Sequence, residues 1–223
     1  MRTIKLIAVI CLLFIFSCKK DEDNSVNGSQ GNACSGQTSV SYQGQTYNTI
    51  QIGSQCFLKE NLNYETGNSW CYDNNPSNCN IYGRLYDWET VMNGANSSNL
   101  IPSGVQGICP SGWHIPSTQE WKTLIDYLGG HAVAGGKLKE AGTTHWNSPN
   151  AEATNTSGFT GLPAGYLQDT TNFSKLGRLG YFWSASAFDN DEAFIMWLYL
   201  IDGIAYYDYW PKSFGHSVRC LKD

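Results

Sequence analysis

Charge is scarce in this chain, and positive charge is the scarcer sign. Charged residues are 15% of 223 positions, with 14 Lys and Arg against 19 Asp and Glu. No basic stripe is present, so nucleic acid is excluded as a partner, because its phosphates would have nothing to pair with. Histidine is as sparse: His114, His131, His145 and His216 are scattered. No H-E-x-x-H, G-x-S-x-G or phosphate-loop motif occurs. These gaps argue against an enzyme, and no catalytic residue, cofactor or bound metal is expected. The absence of any C-x-x-C pair removes zinc ribbons and fingers. Asn61, Asn74, Asn75 and Asn78 could supply oxygen ligands, but calcium-loop spacing is missing, so they read as turn residues. No internal repeat is found.

What is present begins with an address. Arg2 and Lys5 precede the apolar run Leu6 to Phe16, too short to cross a bilayer and suited to the core of a signal peptide over residues 1–17. The run stops at Ser17-Cys18, which resembles a bacterial lipoprotein cleavage site. That resemblance implies a lipid on Cys18, and so a membrane partner reached through that lipid. Losing Arg2 and Lys5 takes the formal charge from −5 to −7, so anionic membrane would repel the rest. Residues 18–39 are Asp-, Asn-, Ser- and Gly-rich and read as a flexible tether. Within them Asp21-Glu22-Asp23 resembles surface-export signals of outer-membrane lipoproteins. The expected location is therefore the cell envelope, on the outer membrane and facing outward.

Setting aside Cys11 and Cys18 leaves six cysteines: 34, 56, 71, 79, 109 and 220. An even count in a secreted chain points to disulfides, with fifteen pairings open. A local Cys71–Cys79 bridge would close the turn-rich loop between them.

Residues 40–223 read as one α+β domain. Its best-signalled element is Cys109 to Trp121. Pro110 and Gly112 make a turn, Ser117 and Glu120 an S-x-x-E capping box, and Trp121, Leu124, Ile125 and Leu128 one apolar stripe. Gly129-Gly130 ends that helix. Before it, a Gly44-centred hairpin, a short strand at 56–58, a loop over 63–82 and a helix over 84–92 are expected. In that helix Arg84 and Asp87 read as a surface pair. After it, a helix over 133–140 is weakened by Gly135-Gly136. Strands follow at 181–187, 194–200, 204–207 and 214–221, the second apolar on both faces and so central. Helices first and strands last imply one twisted antiparallel sheet with two or three helices packed on it and long loops. Trp146 and Phe159 are expected anchors within loop. His114 and His216 are expected to be packing residues.

Several blocks then resemble a known family. They are Cys109-Pro-Ser-Gly-Trp-His-Ile-Pro-Ser-x-x-Glu-Trp121, Glu60-Asn-Leu-Asn-Tyr64, Trp70-Cys-Tyr-Asp-Asn74, Tyr82-Gly-Arg-Leu-Tyr-Asp-Trp88, Gly180-Tyr-Phe-Trp-Ser184 and Ser217-Val-Arg-Cys220. Gly158-Phe159 and Leu162-Pro-Ala-Gly-Tyr166 join them. In order over about 42–222, they resemble the Fibrobacter succinogenes major paralogous domain family. The resemblance implies a secreted or lipid-anchored protein of undetermined activity. It also implies a C-type-lectin-like fold, akin to formylglycine-generating enzymes, with both termini in one sheet. It makes a Cys109–Cys220 bridge attractive. Cys56 stands where many members carry an aromatic residue, and with Cys34 it implies an extra local bridge. The paired late cysteines of formylglycine-generating enzymes are missing, so that activity does not carry over.

The functional expectation is a non-catalytic, lipid-anchored extracytoplasmic binding module with carbohydrate as the candidate ligand. Tyr206, Tyr207, Tyr209 and Trp210 place four rings on one hairpin, with Asp189 and Asp191 in a nearby turn. Tyr207, Tyr209, Trp210, Asp189 and Asp191 are the candidate ligand contacts. The alternative is a surface structural or protein-interaction module with no small ligand.

Overall fold

The computed structural model describes residues 32–223, and strands dominate it. In chain order the first half holds β1 (Ser39–Tyr42), β2 (Gln45–Ile52), β3 (Gln55–Leu58), β4 (Ser69–Trp70), α1 (Pro76–Tyr82), β5 (Leu85–Tyr86), α2 (Trp88–Met92), β6 (Trp113–His114) and α3 (Thr118–Tyr127). The second half holds α4 (His131–Leu138), β7 (Tyr166–Leu167), β8 (Phe173–Ser174), β9 (Leu179–Ala187), β10 (Glu192–Tyr199), β11 (Ala205–Pro211) and β12 (Leu221–Lys222). The stretch read as a signal peptide, Cys18 and the first part of the stretch read as a tether lie outside the described residues. Residues 32–38, also in the stretch read as tether, are tied down by a Cys34–Cys56 disulfide and by Thr49 Oγ1 donating to the Gln37 carbonyl.

The single expected sheet is instead two principal sheets. One runs β1-β2-β3-β12-β6, so the first and last strands share it. The other runs β11-β10-β9, with β10 central as its two apolar faces require. Phe182, Met196 and Leu198 pack with Trp121, Leu124 and Ile125 of α3 on one side. Tyr181, Trp183 and Ile195 pack with Trp88, Val91 and Trp113 on the other. The expected closing strand over 214–221 is regular only at β12. Upstream, His216 and Ser217 make isolated bridges to Tyr86 and Phe182, cross-linking both halves of the chain.

Local chemistry explains the other differences. The helix expected from residue 84 starts at Trp88, because the Asp87 carboxylate accepts the Thr90 N–H and so caps it. Leu85 and Tyr86 are drawn into β5 against β4. Arg84 therefore does not pair with Asp87; it bonds Glu65 at 2.7 Å. The stretch 63–82 is not all loop: Asn75 caps α1 through the Ser77 N–H, and Pro76 takes the first helical position, where no N–H is needed. α4 starts at His131 rather than Val133. Its Gly135 is required by close approach, since a Cβ there would lie 2.1 Å from the Ile204 carbonyl oxygen.

The capping box of α3 is present in full. Three disulfides join Cys34 to Cys56, Cys71 to Cys79 and Cys109 to Cys220. The last spans 111 residues, a loop whose closure is worth about 4–5 kcal/mol in a chain-entropy account. No helix among the described residues is long and apolar enough to cross a membrane.

His114 does more than pack. Its Nε2 lies 2.9 Å from Glu120 Oε1 and its Nδ1 2.7 Å from Asp223 Oδ1, so the imidazole joins the helix cap to the last residue. Burial alone would lower its pKa, but the hydrogen bonds and charges of Glu120 and Asp223 outweigh that and raise it above 6.5. The folded state thus holds this proton more tightly than the unfolded chain. The stabilisation is complete below about pH 6.5 and is lost as pH rises through the higher folded value. Urea midpoints measured across pH 5.5–8.5 are expected to fall on the alkaline side for the native chain, and to vary less for His114→Gln. An equal slope in both proteins would contradict the ion bridge.

Candidate functional site

Alternation along β11 divides the four expected rings between two faces. Tyr206 and Trp210 point one way, Tyr207 and Tyr209 the other. Trp210 is half-buried, 5.2 Å from Tyr166, 5.3 Å from Phe214 and 5.4 Å from Tyr181, centre to centre. Tyr206 stacks on Trp197 at 4.0 Å and donates its hydroxyl to Asp202. These two rings are committed to packing, so the structure does not bring Trp210 to a surface shared with Tyr207 and Tyr209.

Tyr207 and Tyr209 remain 37% and 42% exposed. Two rings the sequence analysis passed over join them. Phe188 stacks on Tyr209 at 4.0 Å with planes 5° apart, and Phe194 meets Phe188 edge-on at 5.6 Å. Phe194 is opposite Tyr209 in the register, which puts both on one sheet face. Phe188 lies just past β9, in the turn to β10, where sequence spacing carries no signal.

Beside this ladder α3 and α4 do not cover the sheet completely. They leave a cleft of about 620 Å³ between Phe194 and Tyr207 on one side and Gln119, Lys122, Ile125 and Asp126 on the other. His131, at the start of α4, also lines it. Most of its surface is apolar. The Lys122–Asp126 ion pair sits on the α3 side, one turn apart along the helix. Burial, then the Asp126 charge, hold the Tyr207 hydroxyl well above the ordinary tyrosine range, so it stays a neutral donor. The arrangement offers stacking surface and a few hydrogen-bonding groups. Of these α3 residues, Ile125 was visible in sequence as part of the apolar stripe, and Gln119, Lys122 and Asp126 carried no signal of a site.

Asp189 and Asp191 stand apart from the cleft lining. Asp189 Oδ1 accepts the N–H groups of Asp191 and Glu192, which closes the β9–β10 turn. Lys212 Nζ donates to the carbonyls of Asp189 and Asn190 and lies 4.6 Å over the Trp88 ring. Among the described residues no group of three or more His, Cys, Asp or Glu side chains could hold a metal.

A family comparison decides the chain's kinship. The model of the Fibrobacter succinogenes major domain matches residues 32–222. The chain belongs to that family. No curated protein and no solved structure gives a match. The family's domain, starting at residue 32, takes in Cys34 and so all three bridges. The aromatic ladder lies within it, on residues outside the blocks that identify the family.

The division of β11 has a direct consequence. Trp210→Ala removes a ring packed on four others, Tyr166, Tyr181, Phe214 and His216, and is expected to cost about 3–5 kcal/mol. Tyr209→Ala removes one exposed stacking partner and should cost about 1 kcal/mol. Urea denaturation of the two variants checks this, and equal losses would contradict the assignment of faces.

Proposed function

We propose that the chain is a non-catalytic binding module, held at the outward face of the outer membrane by lipid on Cys18, with a polysaccharide as ligand. The observation that carries the reading is the apolar cleft lined by Phe194 and Tyr207, beside the exposed stack of Phe188 on Tyr209. Flat rings match the C–H faces of sugar rings, and Gln119, Lys122, Asp126 and the Tyr207 hydroxyl offer partners for hydroxyl groups. The Ser17-Cys18 junction and the polar stretch behind it support the anchor. A C-type-lectin-like arrangement is part of this proposal. It draws support from first and last strands in one sheet and from the Cys109–Cys220 bridge joining the approach to α3 to the last strand.

A second reading, a protein-interaction module, has its own observation. Leu100 and Ile101 are 72% and 63% exposed on a loop whose Ser98 carbonyl accepts the Ser186 hydroxyl at the end of β9. Apolar side chains so exposed near an aromatic ladder also suit a protein partner.

The mature domain applied to a broad glycan panel separates the two. At least one polysaccharide is expected to bind, with Tyr207→Ala and Tyr209→Ala each weakening it tenfold or more. A chelator should have no effect, because the Asp189 carboxylate already serves its turn. A blank panel, together with a protein captured by cross-linking on intact cells, would replace the first reading with the second. The anchor is tested separately: Cys18→Ala is expected to move the chain from the membrane fraction to the soluble one, and retention would refute lipid attachment.

A further inference from the structure

We propose that the cleft between α3 and β11 selects sugars that carry an N-acetyl group, a refinement that rests on the polysaccharide reading of that cleft. Its lining sorts by chemistry. The half-buried Phe194 ring and the exposed Tyr207 ring line it from the sheet. Gln119, Lys122 and Asp126 line it from α3, and all three are exposed. The stems of Gln119 and Lys122 are themselves methylenes, so even the helix side is apolar between its polar tips.

The observation that points to an acyl oxygen is the Tyr207 hydroxyl. The hydroxyls of Tyr47, Tyr86 and Tyr206 are all engaged within the fold. That of Tyr207 has no hydrogen-bond partner among the described residues, and the side chain is reachable at 37% exposure. Burial and the Asp126 charge keep it protonated, so it is a donor open to an acceptor on a ligand.

Charge argues against an acidic sugar. Lys122 is paired with Asp126 four residues along α3, so no free ammonium from α3 meets a carboxylate or a sulfate. The pair uses Asp126 Oδ2, which leaves Oδ1 as an acceptor. The Gln119 side-chain amide is also unpaired among the described residues, a donor and an acceptor in one group. An acetamido group matches this set. Its carbonyl accepts from Tyr207, its N–H donates to Asp126 Oδ1 or Gln119 Oε1, and its methyl takes the Phe194 side. A hydroxyl in that methyl's place would lose water with nothing to bond. A 6-deoxy sugar brings the methyl without the carbonyl.

The test is titration and saturation-transfer NMR of the mature chain with sugars that differ only in acetamido against hydroxyl. The pairs are chitobiose with cellobiose and N-acetylgalactosamine with galactose, and rhamnose is the methyl-bearing control. The acetylated member of at least one pair is expected to bind about tenfold tighter than its partner, through one methyl contact and one hydrogen bond. Its acetyl methyl should be the most saturated signal. Tyr207→Phe keeps the ring and removes the donor, and should lower the preference about threefold or more. If cellobiose, galactose or rhamnose binds as tightly as the acetylated sugars, and Tyr207→Ala weakens that binding, the acetamido inference falls and the polysaccharide reading stands. A preference that Tyr207→Phe leaves intact would overturn the inference as well. Silence from every pair while the broad glycan panel yields a ligand overturns the inference alone; silence in both overturns both.

Discussion

A charge buried with no carboxylate in contact holds this fold together. The Arg219 guanidinium is fully buried. Nε and Nη2 donate to Asn61 Oδ1, and Nη1 donates to the carbonyls of Leu58 and Phe159. The guanidinium lies 4.2 Å over the Phe159 ring. Burial lowers its pKa to about 9, with the more distant Glu60 pulling upward. Such a cation is tolerated only if its donors find acceptors in fixed places. Those acceptors come from the end of β3, the loop behind it and the long loop before β7. One residue from the chain's end therefore sets the path of three distant segments, and its neighbour Cys220 fastens the same point to Cys109. Lys139 repeats the device: its buried ammonium donates to the carbonyls of Ala151, Tyr199 and Asp202. Irregular backbone that no sheet or helix would satisfy is held by side-chain cations.

That device marks the limit of what the sequence reveals. The α3 capping box is legible because Ser117 and Glu120 act within one turn, and the Gly44 hairpin because two residues fix its geometry. The centrality of β10 follows from its unbroken apolar run. The Cys109–Cys220 pairing came with the family resemblance, and the structure has it. Residues 139–165 read largely as loop anchored by Trp146 and Phe159; their path is held by scattered bonds from Lys139, Arg219, Trp146, Asn150 and Asn155, most of them without a sequence pattern. Asp87 misled for a related reason. A carboxylate three residues from Arg84 looks like a surface pair, but the backbone N–H of Thr90 competes for it and wins. His114 was legible as buried and not as bridged, because Asp223 is 109 positions away.

The candidate site was legible by composition and not by arrangement. Four rings in five residues were evident, yet a strand sends alternate side chains to opposite faces. Tyr207 and Tyr209 are the more exposed pair, on the face that carries Phe194, with Phe188 stacked on Tyr209. Trp210 joins Tyr166, Tyr181 and His216 inside. His216 has no hydrogen-bond partner at either ring nitrogen, and burial lowers its pKa to about 3, so it is a neutral ring among rings. Two of the four rings on β11 are thus explained by packing on other rings.

The exposed half needs a different explanation, and edge-strand physics supplies it. β11 borders its sheet, so one side of its backbone is unpaired by any neighbour strand. An edge that also displays rings is a hazard for strand addition. This edge carries the usual deterrents: exposed Asp208 in mid-strand and Pro211 at its end, with Lys212 directly after. The Tyr209 and Phe188 rings stack on each other rather than lying open along the edge. Backbone pairing is discouraged, while Phe194 and Tyr207 stay at the cleft. If the rings were merely tolerated, polar replacements at 207 and 209 would remove the hazard at little cost in stability. A surface that deters strands yet keeps its rings is suited to side-chain recognition of a flat ligand rather than to β-augmentation.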